Sequence, residues 1–244
     1  MQNLYIFGTK KNAEMAKFYF QRDCPQYKLI GFIEDTPEDD LAYGLPVISS
    51  ADYLKKEQLI KGDIFAPLTS SSARKKIFNK FKSQGCSFAS YISPQAHVWN
   101  HNALGENCFV QEFNNIQYGT RIGDNCLFWA GNHVGHHGNI GSHNTFTSHV
   151  VLSGSCNIDQ MCYFGVNSTI GDGLHICSSV FVGMGSVITK NVTKKNNILR
   201  IKFFCRDERN MTIYDRKLRA FAAKHSVSLN EESSGYLFDK LTGK

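Results

Sequence analysis

From Val98 to Ile188 every sixth residue is aliphatic or Phe, sixteen positions without an exception. The series runs Val98, Leu104, Val110, Ile116, Ile122, Phe128, Val134, Ile140, Phe146, Leu152, Ile158, Phe164, Ile170, Ile176, Val182 and Ile188. A period of six fits neither an α-helix nor an isolated strand; it is the hexapeptide signature of a parallel β-helix. Each hexad supplies a short strand and a corner, and three hexads close a triangular coil of eighteen residues with the six-spaced side chain pointing inward. At an inter-strand spacing of about 4.8 Å, the hexads make about five coils, a prism roughly 25 Å tall. Two positions earlier stand Ala96, Cys108, Thr120, Cys126, Cys156, Cys162 and Ser186, a second and narrower inward slot. Directly after the six-spaced residue come Gly105, Gly123, Gly135, Gly141, Gly165, Gly171 and Gly183, read as corners that need little side chain. No long insertion interrupts the hexads, so groups that close over a ligand must come from a neighbouring subunit or another domain.

The 244 residues leave room for one elongated domain and a small second one. No run approaches the length of a membrane span and the start, MQNLYIFGTK, lacks a signal peptide's apolar stretch, so a cytoplasmic location without a membrane span is expected. Of eight cysteines, Cys108, Cys126, Cys156 and Cys162 occupy the inward slot and are expected as buried, reduced thiols. Cys108 and Cys126, eighteen apart, should stack on adjacent coils, where a bridge is sterically conceivable. The net charge of +6 suits phosphate-bearing small ligands. It comes without the aromatic and basic interleaving of a nucleic-acid surface, so no nucleic-acid partner is expected.

The first 94 residues read differently. Residues 2–8, QNLYIFG, form a short apolar strand, and KKNAEMAKFYFQRD follows with Ala13, Ala16 and Phe20 at helical spacing. KLIGFIED is a second strand ending in Glu34 and Asp35, DIFAPLTSS a third, and SSARKKIFNKFKSQG an amphipathic helix with Ala73, Ile77, Phe78 and Phe81 inward. Alternating strands and helices indicate a small parallel sheet of Rossmann type. Ligands bind at the carboxyl ends of such strands, which places Gly8–Ala13, Glu34–Asp35 and Thr69–Ser71 around one crevice. GTKKNAEM has one glycine where a dinucleotide fingerprint wants three, so tight dinucleotide binding is not expected. Residues 95–195 form the prism and 196–244 a tail whose TIYDRKLRAFAAKH stretch has helical spacing at Tyr214, Leu218, Phe221 and Ala222.

Five of nine histidines fall between residues 133 and 149: His133, His136, His137, His143 and His149. His137, His143 and His149 share one hexad position on three successive faces, so they surround the prism, and only the packing of two subunits could bring such corners together. One chemistry for them is a neutral imidazole acting as general base in acyl transfer. The other is a metal triad like that of the hexapeptide-repeat carbonic anhydrases. His101 and His137 satisfy that family's first interval, but the third position is Ser142, so no metal site is expected. His97, His143, His175 and His225 read as surface corner residues.

The arrangement resembles the bacterial sialic-acid O-acetyltransferase and nucleotide-aminosugar N-acetyltransferase family, which couples a Rossmann-like head to a left-handed hexapeptide β-helix. The resemblance rests on IFGTKKNAEM, FIED, SSARKKI and NHVGHHGNIGSHNTFTSHVVLSGSCNI. The family places its base in H-x-x-x-I-G, which here is HHGNIG and implies His136. Where some members follow the base with Glu, this chain has His137, so the orienting partner is a backbone carbonyl, a group of a neighbouring chain, or His137 itself. The resemblance implies a homotrimer of parallel prisms with active sites in the clefts. Acetyl-coenzyme A, the cosubstrate, would lie along the coils against Thr145, Ser153, Gly154, Gly165 and Gly183, with Lys190 toward its phosphates. Lys190, Lys194, Lys195, Arg200 and Lys202 form one basic group, read either as meeting those phosphates or as a solvated basic tail. A nucleotide-linked sugar acceptor would sit in the head against Gly8, Lys11, Asn12, Ala13, Glu34 and Asp35. The implied function is direct transfer, without an acyl-enzyme, to the amine of a nucleotide-linked amino-deoxysugar. The alternatives are O-acetylation of a sugar hydroxyl by the same histidine and a non-catalytic β-helix binding or scaffold protein.

Overall fold

The computed structural model describes residues 1–56, 62–100, 103–193 and 198–199. The head contains β1 (Gln2–Phe7), α1 (Lys11–Asp23), β2 (Tyr27–Glu34), β3 (Leu41–Ala42), β4 (Leu45–Ser49), α2 (Ser50–Lys56), β5 (Asp63–Phe65) and α3 (Ser71–Lys82). Its sheet has the order β3-β4-β2-β1-β5, with β1 between its parallel neighbours β2 and β5. Alternation along β1 sends Leu4 and Ile6 into the layer with Ala13, Ala16 and Phe20 of α1. Tyr5 and Phe7 go to the opposite layer with Ile77, Phe78 and Phe81 of α3. The third strand in chain order is not the DIFAPLTSS segment. A β3–β4 hairpin and α2 come first, and the hairpin makes the sheet mixed, since β3 runs antiparallel to β4. The closeness of β4 to β2 is fixed at Gly31, where a Cβ would stand 2.5 Å from the Pro46 carbonyl oxygen.

From Tyr91 the chain winds as a left-handed β-helix of two-residue rungs. Tyr91–Ile92 pairs with Phe109–Val110, and later rungs pair in parallel with the rung eighteen residues on. The six-spaced residues line the core as expected, and Phe128, Phe146 and Phe164 stack at 4.6 Å with 4° between planes. Cys108, Cys126, Cys156 and Cys162 occupy the inner slot, buried and unbridged. Burial pushes the Cys162 thiol up to about 12.

The corners are not where the glycines after the core residue suggested. Left-handed backbone recurs every six residues from Asn107 to Gly185, three positions after the core residue. Asn, Phe, His, Ser, Met and Gly all serve there, among them His137 (φ 55), His143 (φ 67) and His149 (φ 59). The expected corner glycines have another cause, which is the coil stacked on them. A Cβ on Gly135 would stand 2.5 Å from the Gly154 amide nitrogen.

Head and prism meet on the face bearing Tyr91, Phe109 and Leu127, which pack into the α1 layer. Arg74 of α3 is fully buried at this junction. Its guanidinium donates to the carbonyls of Leu68 (2.6 Å), Asn125 (3.0 Å), His143 (3.3 Å) and Asn144 (3.2 Å) and to Thr145 Oγ1 (3.0 Å). Beside it Asn107 brackets Ala66 at the end of β5, accepting from its N–H and donating to its carbonyl. The corner side chains continue the chain of bonds from Asn107 to Asn125 (2.6 Å) and from Asn125 to His143 Nδ1 (2.7 Å). His143 is therefore buried, not a surface corner, because the head covers that edge. The tail 196–244, apart from the pairing of Ile198–Leu199 with Phe181–Val182, lies outside the described residues, as do Lys194, Lys195, Arg200, Lys202 and His225.

Candidate active site

One prism edge is left open by the head and carries the histidine pair. Its backbone bonds climb coil by coil: His137 N–H to Tyr118 O (2.9 Å), Ser155 N–H to His136 O (2.7 Å) and Gly173 N–H to Gly154 O (2.9 Å). Tyr118, His136, Gly154, Asp172 and Lys190 thus form one column at intervals of eighteen, with Gly119, His137, Ser155 and Gly173 beside it. His136 and His137 are exposed. Their Nδ1 atoms are 3.1 Å apart, so one ring donates and the other accepts. His137 is in turn held by the Tyr118 ring, 5.6 Å between centroids at 75°, and by Gly119, where a Cβ would be 2.9 Å from the imidazole. Of the orienting partners named for His136, His137 lies within hydrogen-bond distance in this chain.

Gly154 has a specific reason to lack a side chain. A Cβ there would lie 2.7 Å from Cε1 and 2.8 Å from Nε2 of His136. The imidazole is laid over the coil above it, with Nε2 at the open edge. Gly154 was expected beside the coenzyme for its backbone; in the structure it lies under His136. Asp172, whose Oδ1 would be 3.0 Å from the same Cβ, escaped the sequence reading. Writing the repeat in lines of eighteen would have put it in the His136 column.

The other expected coenzyme contacts divide by burial. Ser153 is half-buried and Lys190 exposed, both accessible near the edge. Gly165 and Gly183 are buried, Gly165 under the Gly183–Met184 backbone. Thr145 is fully buried between Arg74 and Ser71, so it joins head to prism and is closed to a coenzyme. Among the described residues no group of three or more His, Cys, Asp or Glu side chains could hold a metal ion, and His101 lies outside them.

The head's expected ligand residues do come together at the carboxyl ends of its strands. Gly8 (φ 103) turns the chain from β1 toward α1. No side chain caps the helix at Lys10, which itself lines the crevice, and Lys11 is exposed in the first turn. Asn12 ties this turn to the loop after β5 through Pro67 O (3.1 Å) and Thr69 Oγ1 (3.0 Å). Glu34 accepts from Thr9 (2.9 Å) and lines a crevice with Thr9, Lys10, Thr36, Glu38 and Asp39. Two expected contacts have other work. Ala13 is buried in the α1 layer. Asp35 accepts from Ser50 (2.7 Å) and Lys80 (2.6 Å); burial acts against its charge, but those two donors hold its carboxyl below the ordinary value.

Residues 158–190 match the family described as the hexapeptide repeat of succinyl-transferase. The chain is 25% identical over 180 residues to a GDP-perosamine N-acetyltransferase of Escherichia coli O157:H7, covering 70% of this chain and 80% of that protein. Among solved structures it superimposes on PerB from Caulobacter crescentus, crystallised with CoA and GDP-perosamine (TM-score 0.69, 22% identity, 79% of this chain and 91% of that one). It also superimposes on the acetyltransferase domain of PglB from Neisseria gonorrhoeae in complex with acetyl coenzyme A (TM-score 0.70, 19% identity, 78% and 92%). The structural likenesses carry the fold. The repeat and the curated relative support an acetyltransferase of the hexapeptide-repeat class.

Proposed function

We propose that this protein transfers the acetyl group of acetyl-CoA to the amine of a nucleotide-linked aminosugar, with His136 as general base. The observation that carries the proposal is the seat of His136: Nδ1 engaged by His137 at 3.1 Å, and Nε2 laid over Gly154 at an edge the head leaves open. PerB, which shares the architecture, was crystallised with CoA and GDP-perosamine together, and the PglB domain with acetyl coenzyme A.

For Nε2 to take a proton it must present its lone pair, so His136 carries its hydrogen on Nδ1 and donates it to Nδ1 of His137. His137 then carries its own hydrogen on Nε2. When His136 gains a proton on Nε2, the imidazolium keeps the same Nδ1 bond, now charge-assisted. His137 is thus a positioning residue that fixes the tautomer and supports the cation, the role a carboxylate plays in relatives with Glu. The base removes a proton from the acceptor as it attacks the thioester carbonyl, and returns a proton to the departing sulfur. A direct transfer suits the site, because the cysteines of the prism are buried away from the edge.

The nucleotide belongs in the head, where the uncapped start of α1 and Lys11 face its phosphates and Glu34 the ribose or base. The open edge is completed in a homotrimer of parallel prisms, which brings the head of one subunit to the His136 edge of the next. Reduced thiols accord with a cytoplasmic site of action.

The test is release of coenzyme A thiol from acetyl-CoA against a panel of nucleotide aminosugars, for wild type and His136→Ala. Transfer by wild type that fails in the variant supports the reading. Transfer only to hydroxyls moves it to O-acetylation, and binding of nucleotide sugars without turnover makes the protein a scaffold.

A further inference from the structure

The edge that seats His136 also carries a carboxylate without a role so far. Asp172 is exposed on the same column, two coils beyond His136. The coil between them bears Gly154, and both side chains lean over the place its side chain would take. A Cβ at Gly154 would meet Nε2 of His136 at 2.8 Å and Oδ1 of Asp172 at 3.0 Å, so the base's outer nitrogen and the carboxylate face one small volume. The other groups on this edge stand outside it: Tyr118 one coil before His136, Lys190 one coil beyond Asp172, and His137 against the far side of the imidazole.

An alkyl amine arrives at neutral pH as an ammonium ion, a donor with no lone pair, and cannot attack until it loses a proton. A hydroxyl arrives neutral. A carboxylate beside a neutral imidazole suits the ammonium, which gains a charge-assisted bond to one group and a proton acceptor in the other. A hydroxyl can donate to the carboxylate as well, but it brings no positive charge to pair with it. We propose that Asp172 is a specificity-determining residue that receives the acceptor amine as an ammonium ion beside His136 and so selects amines over hydroxyls. The inference rests on the acetyltransferase reading above.

The steps balance without another reactant. The ammonium gives one proton to Nε2 of His136, which passes it to solvent. The nitrogen lone pair bonds to the thioester carbonyl carbon and the carbon–sulfur bond breaks. A second nitrogen-bound proton travels through His136 to the sulfur. The products are an acetamide, the coenzyme thiol and one released proton.

The experiment compares the full chain with Asp172→Asn, which keeps shape and loses charge, and Asp172→Glu, which keeps charge. Each is assayed with acetyl-CoA and the GDP-, UDP- or dTDP-linked amino sugar that wild type uses best. A parallel assay uses the same nucleotide sugar bearing a hydroxyl in place of the amine. In the Asn variant kcat/KM for the amine should fall about ten- to hundredfold, mainly through KM, with the amine-to-hydroxyl ratio falling by a similar factor. Asp172→Glu should recover part of it. An equal fall on both acceptors would mark a structural role and overturn the proposal, as would an unchanged kcat/KM for the amine in Asp172→Asn. A wild type that acetylates no amine would overturn the N-acetyltransferase reading and this inference with it, whereas an active wild type with an unaffected Asn variant would overturn this inference alone.

Discussion

Nδ1 of His136 lies 3.1 Å from Nδ1 of His137, an imidazole pair in which one ring must donate to the other. The roles of the two rings are unequal, because only His136 lies over Gly154 with Nε2 at the open edge. His136→Ala should lower kcat by more than about a hundredfold, the usual share of a general base. His137→Ala, which removes a hydrogen-bond partner of the imidazolium, should cost roughly tenfold. Steady-state rates with a nucleotide aminosugar check both. Equal losses would mean that His137 is itself a proton carrier.

Gly154→Ala tests the seat of the base without touching it. The added methyl would overlap the imidazole, with Cε1 at 2.7 Å, and the Asp172 carboxylate at 3.0 Å. Both are ends of exposed side chains that can swing away, so the fold should tolerate the change and the melting temperature should stay within a few degrees. Misplacing the base should still cost on the order of a hundredfold in kcat. A fully active Gly154→Ala would show that the imidazole reaches its substrate from another rotamer.

The contrast between these residues shows what was legible in the chain. The six-residue period gave the prism and its core because one side chain per rung points inward, and an inward position tolerates few residue types. The left-handed corners left no such mark, because Asn107, Phe113, His137, Ser155 and Met161 all adopt them. The glycines that did stand out, Gly135 and Gly165 among them, answer to the coil stacked above. In the head, β3 has two residues and β4 five, too short for a period to emerge. His136 could be singled out by resemblance. Asp172 could not, since its meaning comes from a neighbour thirty-six residues away. Thr145 was misread because no pattern within the prism tells that the head lies on that rung.

Arg74 is the main tie across that contact, a guanidinium with no carboxylate partner among the described residues, served by backbone carbonyls of both units. Burial lowers its pKa to about 10, which leaves it charged at neutral pH. Arg74→Met would strand several buried acceptors at once and should destabilise the protein by about 3 kcal/mol or more. Arg74→Lys keeps the charge but loses the planar fork, and should fall between the two. Urea unfolding followed by tryptophan fluorescence measures this. A loss below about 1 kcal/mol for the Met variant would mean that the junction relaxes or admits water.

His143 adds a pH dependence to the same junction. Burial first, then the positive charges of Lys75 and Arg74, lower its pKa to about 4, while Asp124 pulls weakly the other way. The folded protein therefore keeps this imidazole neutral, accepting from Asn125 on Nδ1, whereas the unfolded chain protonates it near its ordinary value of about 6.5. Its contribution is fully present above about pH 6.5 and shrinks as pH falls through the window down to about 4, by on the order of 2 kcal/mol. An asparagine in its place would suit the left-handed corner, as Asn107 and Asn125 do, and would extend their ladder without a titrating group. The His143→Asn variant should thus lose less stability than wild type between about pH 6.5 and about 4 in parallel urea titrations. Parallel curves for the two proteins would show that His143 titrates as a free histidine and that the head does not seal this corner.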